Sequence, residues 1–166
     1  MSISTLKHLY VEQLQDIHSA NRQALKATKE LHQAASSDEL KSALAAGVKG
    51  IEDGLEQVKT LIKSHDADPR AEHCKGMEGL VAEARAQAIE ADIDDDDVRD
   101  ASIIAQYQRM SHYGIAGYGT AHAFANRLDL KQDGKVLQAC LDHVYGGDKH
   151  MTSIASGEVN PAAALA

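Results

Sequence analysis

Histidine, carboxylate and cysteine side chains could hold a metal, and this chain of 166 residues has nine histidines, 25 acidic residues and two cysteines. His143 and His150 lie seven apart, a spacing that stacks both on one helical face. No HExxH pair occurs, so the metalloprotease arrangement has no support. Cys74 and Cys140 stand far apart without a CxxC, which argues against a disulfide framework and against a zinc site. Cys74, beside a polar stretch, is the thiol that could react, and Cys140 reads as a small apolar residue. Tyr107, Tyr113 and Tyr118 fall in one segment and read as large packing residues whose hydroxyls need partners. The four aspartates at 94–97 lack the turn glycine and the closing glutamate of a calcium loop, so they read as the acidic start of a helix. No Ser/His/Asp arrangement and no glycine-rich phosphate loop can be argued.

Amphipathic helices must position these groups. Leu6, Tyr10, Leu14, Ile17, Ala24, Thr28 and Leu31 recur at spacings of three, four and seven, which predicts a helix over 4–35. Ser36 or Ser37 can cap the next helix, over 38–65, whose stripe is Leu40, Leu44, Val48, Ile51, Leu55, Val58 and Ile62. Gly47, Gly50 and Gly54 interrupt it; they either permit close helix approach or weaken the helix, at about 1 kcal/mol each. Pro69 places a loop over 65–73, followed by a short helix over 74–91. The fourth long segment runs to 128, with Ile103, Tyr107, Ser111, Gly114, Tyr118 and Ala121 inward. The last covers 135–156, with a stripe of Leu137, Leu141, Val144, Asp148 and Met151, and 157–166 reads as a flexible tail.

Composition agrees with helices, since aromatics make up only 4% of the chain and there are two prolines. The expectation is one all-α domain over 1–156, an antiparallel four-helix bundle with one extra short helix. A net charge of −8, with Lys and Arg scattered, excludes a basic stripe for nucleic acid. The first residues form no apolar signal core and no segment approaches the ~20 apolar residues that span a bilayer, so a cytoplasmic protein without membrane contact is expected.

Several segments resemble the bacterial YciE/YciF family. These are Met77-Glu78-Gly79-Leu80, Val98-Arg99-Asp100-Ala101 with Ile104-Ala105 and Gln108, His112-Tyr113, and Tyr118-Gly119-Thr120. Asp16, Ser19-Ala20 and Gln23 are similar to the family's first-helix motif. The resemblance implies a ferritin-like fold, a homodimer, an association with stress responses and, in some members, a di-iron site within the bundle. It also implies which positions would carry ligands. The family's first-helix glutamate corresponds here to Asn21, and its Glu-x-x-His pair to Lys49 and Glu52. Its fourth-helix Glu-His-Tyr-Glu reads Ser111-His112-Tyr113-Gly114. On the last helix Val144 takes an inward slot and Asp148 matches a family aspartate.

Two ferrous ions bring four positive charges, which such sites answer with about four carboxylates and imidazoles. Of the positions just named only Glu52 and Asp148 are acidic, and Lys49 is cationic. The expectation is therefore a non-enzymatic stress-associated protein with a vestigial di-iron site and no cofactor. In a sharper version the Lys49 ammonium bridges Glu52 and Asp148 in place of the metal. The alternative is an oxidoreductase-type protein that binds iron or another transition metal through relocated ligands, with His112 and His143 joining Glu52.

Overall fold

The computed structural model describes residues 3–166. Four long helices dominate: α1 (Leu6–Ala34), α2 (Asp38–Ser64), α4 (Asp96–Arg127) and α5 (Lys131–Ile154), with a short α3 (Lys75–Ala84) between α2 and α4. Each start is set locally. Thr5 accepts from the His8 N–H at 3.1 Å, Ser37 from Leu40 at 3.3 Å, and Asp95 from Val98 at 3.0 Å, each satisfying an otherwise orphaned donor. The ends of α2 and α4 are Schellman turns in which Asp66 (φ 55°) and Asp129 (φ 56°) take the left-handed position. The Leu130 N–H then closes on the Ala125 carbonyl at 2.9 Å, and the Ala67 N–H on Ile62 at 3.3 Å.

Short links at 35–37 and 128–130 make α1/α2 and α4/α5 antiparallel hairpins. The backbone N–H groups of Ser36 and Ser37 bond to Asp100, so α4 begins at the end where α1 stops. At the opposite end the Tyr10 hydroxyl and His65 ring meet Asp133 at 2.8 and 2.6 Å, joining the starts of α1 and α5 to the finish of α2. The helices thus form a square in which every neighbour is antiparallel: α1 beside α2 and α4, α5 beside α4 and α2. The connection from α2 to α4 must climb the length of the bundle, and α3 does so, packed on α1 and α4.

Two differences from the sequence expectation concern the last helix. It begins at Lys131, four residues early, because the Schellman turn leads straight into it. It also does not end in a loose tail at 156. A π-type turn, Ala155–Val159, leads into α6 (Asn160–Ala163), and Val159 is buried against the core. A second π-type turn, Arg85–Ile89, extends α3 and buries Ala88.

The core falls into two clusters. One holds Leu31, Leu40, Leu44, Met77, Ile103 and Met151; the other holds Leu14, Ile17, Val58, Ile62, Tyr118 and Leu137. Each fully buried Leu or Ile contributes about 1.5–3 kcal/mol. Between the clusters, in the middle of the bundle, small residues leave a gap.

Candidate functional site

The gap is a cavity of about 780 Å³ bounded by all four long helices and by Met77 of α3. Its α1 wall carries Ala20, Asn21, Ala24 and Thr28; its α4 wall carries Tyr107, Ser111, Gly114 and Tyr118. The open side lies between α2 and α5, where Ala46, Asp53 and Gln57 face Ala139, Asp142 and His143.

Asn21, Ser111, Gly114 and Val144, taken from three helices, all meet on this cavity, as does His143. Lys49 and Glu52 do not. On α2 the wall is formed by Gly47, Gly50, Gly54 and their neighbours, a rotation of the helix away from the expected face. Lys49 points outward to Asp53 at 3.1 Å, and Glu52 pairs with Lys29 at 2.8 Å. Asp148 lies on the α4/α5 seam, where Gln108 donates to it at 3.0 Å and His112 reaches it at 3.1 Å. The expected Lys49 bridge between Glu52 and Asp148 is therefore not formed; each of the three has a different partner. Nor do His112, His143 and Glu52 converge, since His112 is held by Asp148 and Glu52 by Lys29.

The glycines of α2 answer the choice left by the sequence. A Cβ on Gly47 would strike the Tyr107 hydroxyl, and one on Gly50 the His143 ring. A Cβ on Gly54 would stand 2.7 Å from the Tyr118 hydroxyl. Close approach, not weakness, explains the stripe. Tyr118 is buried, and its hydroxyl accepts from Asn21 Nδ2 at 2.7 Å. Burial pushes the Tyr107 and Tyr118 hydroxyls above the ordinary tyrosine range, so both stay neutral.

Cys140 lies on the same wall, and burial pushes its thiol up to about 11. Cys74, which by its sequence position could react, is instead 1% exposed and caps α3. Its Sγ donates to the Tyr113 hydroxyl at 2.9 Å, which in turn donates to Asp16 at 2.9 Å, and burial raises its pKa. A raised pKa removes the thiolate that reactivity needs.

Asp100 went unread as a chemical group in the sequence. It is 1% exposed, and its two oxygens accept from Ser36 and Ser37 N–H at 2.8 and 2.7 Å. These donors sit at the positive end of α2, which offsets the buried charge. Arg99 beside it donates to the Ile93 carbonyl at 2.8 Å. The Val98-Arg99-Asp100-Ala101 segment thus stitches the α1–α2 corner to the start of α4.

Four long antiparallel helices with a single long crossover define the ferritin-like class of all-α bundles. The chain belongs to the family described as a domain of unknown function, DUF892, whose model matches residues 5–164. It is 30% identical to Protein YciF of Escherichia coli K12 over 161 residues, 96% of each chain. The crystal structure of the E. coli stress protein YciF superposes with a TM-score of 0.88, covering 95% of this chain and 99% of that one. YcfI, a putative structural protein from Rhodopseudomonas palustris, superposes at 0.87 with 28% identity, covering 93% of this chain and 97% of its own. No helix among the described residues is long and apolar enough to cross a membrane.

Proposed function

We propose that this chain is a non-enzymatic, stress-associated ferritin-like protein whose di-iron site has been lost. The stress association comes from its likeness to E. coli YciF. The loss of the metal site rests on one observation, the chemistry of the groups facing the middle of the bundle. Asn21, Ser111, Gly114, Val144 and the α2 glycines are neutral, and most carry no metal-binding atom. The carboxylates on the cavity, Asp53 and Asp142, sit at its exposed mouth, engaged by Lys49 and by Gln138. Among the described residues no three His, Cys, Asp or Glu side chains gather as a ligand set.

These residues do not fit a dinuclear iron centre. Two divalent cations placed between the walls would keep most of their charge uncompensated in a low-dielectric interior, at a cost of many kcal/mol. Elemental analysis of protein expressed with iron supplementation and dialysed without chelator tests the reading. Near-zero metal per chain is expected. One or two tightly held ions per chain would refute it.

A further inference from the structure

We infer that the space at the bundle centre is a binding pocket for a neutral, mainly apolar small molecule. The inference rests on the reading that no metal fills this space, and asks what does. A cavity of about 780 Å³ falls in the range of ligand pockets, and it is far too large to be a packing defect in an interior as dense as a protein's. Its floor is apolar, from Ile17, Ala24, Met77 and Met110. Leaving such a surface facing the cavity forgoes the contacts that filling it would restore.

Charge selects the ligand class. At the mouth Asp53 and Asp142 are balanced by Lys49 and Lys135, and no buried cation among the cavity walls waits to receive an anionic head. Cationic ligands find no buried carboxylate among the cavity walls to receive them. A neutral molecule meets neither penalty. The shape argues against a second copy of the chain as occupant: the space runs inward between four helices, behind a rim bearing the Lys49–Asp53 pair.

The test titrates the full chain with N-phenyl-1-naphthylamine, a neutral probe that brightens in apolar surroundings. The absence of tryptophan leaves the emission window clear. Saturable binding of one probe per chain is expected. Gly114→Leu fills the cavity from a position where a Cβ meets only Val144, at 3.9 Å, and should weaken binding at least tenfold while preserving the helical spectrum. Ala139→Phe, on the exposed rim, should narrow the mouth with the same effect and little risk to folding. No binding by the parent chain would overturn the inference. So would equal binding by Gly114→Leu and Ala139→Phe, which would put the probe on an outer surface. Dissociation of a parent oligomer by either variant in light scattering would assign the groove to a second copy and overturn it as well. Metal content is read on the same samples, so an iron-loaded protein refutes the loss of the di-iron site whatever the probe does.

Discussion

One chemical change, Gly→Ala, should have opposite effects at two helical positions of this protein. Gly79 lies exposed in α3, and a Cβ built there meets nothing within 4 Å. Alanine gains about 0.5–1 kcal/mol over glycine in a helix interior by restricting the unfolded chain. For a domain of this size 1 kcal/mol moves Tm by roughly 2–4 °C, so Gly79→Ala should raise Tm by up to that amount. Gly54 of α2 has the same intrinsic gain available, but its Cβ would stand 2.7 Å from the Tyr118 hydroxyl. Tyr118 is 3% exposed and tied to Asn21 at 2.7 Å, so it can give way only by breaking that bond. Displacing it forfeits a buried hydrogen bond, about 1–3 kcal/mol, and strains a side-chain torsion by about 0.5–1.5 kcal/mol. Set against the intrinsic gain, the net loss is about 0.5–4 kcal/mol, a Tm lowered by roughly 1–16 °C. Gly50→Ala should group with Gly79→Ala. The group in its way is the end of the exposed His143 ring, which can swing aside, so its shift should follow Gly79→Ala. Thermal unfolding followed by circular dichroism at 222 nm reads all three. A Tyr118→Phe background should relieve much of the Gly54→Ala loss, a coupling that a double-mutant cycle measures. If Gly54→Ala proved as stabilising as Gly79→Ala, the close packing of α2 on α4 would be wrong.

Two further outcomes follow from the buried polar groups. Asp100→Asn keeps one acceptor and sets an amide N–H₂ against a backbone N–H; it should cost about 2–3 kcal/mol, seen as a lower urea midpoint at unchanged slope. A midpoint equal to the parent's would show that the corner does not depend on the carboxylate. Tyr10, Tyr107, Tyr113 and Tyr118 all have pKa values raised chiefly by burial. A raised folded-state pKa contributes stability that is complete below the unfolded value of about 10 and is lost as pH rises beyond it. Four of the five tyrosines should therefore ionise only together with alkaline unfolding. Absorbance at 295 nm against pH tests this, and ionisation of all five while the helical signal persists would refute it.

The comparison of chain and fold divides by physical cause. Helix existence was legible because periodicity and caps are local: the stripe of α1 and the Ser37 cap of α2 are where the residues themselves demand them. Asn21, Ser111 and Gly114 were legible as candidates only through the family resemblance, and their helices turn them to the cavity. The facing of α2 was not. Its stripe mixes glycines with aliphatic residues, and a glycine's place in the core depends on what a neighbouring helix sends toward it, here Tyr107, His143 and Tyr118. Lys49 and Glu52 therefore looked inward on a motif and turned outward in the bundle.

Other features depend on groups far apart in the chain. Asp100 is one aspartate among many until Ser36 and Ser37 arrive from 64 and 63 residues away. Cys74 looked available beside a polar loop until Ser19, Tyr113 and Asp16 closed around it. The segment after 156 reads as a flexible tail, yet Val159 finds a place in the core and carries the helix on. Local sequence determined which residues are helical. Only the packing of one helix on another decided which faces turn inward, and so created the central cavity, because a void belongs to no single element.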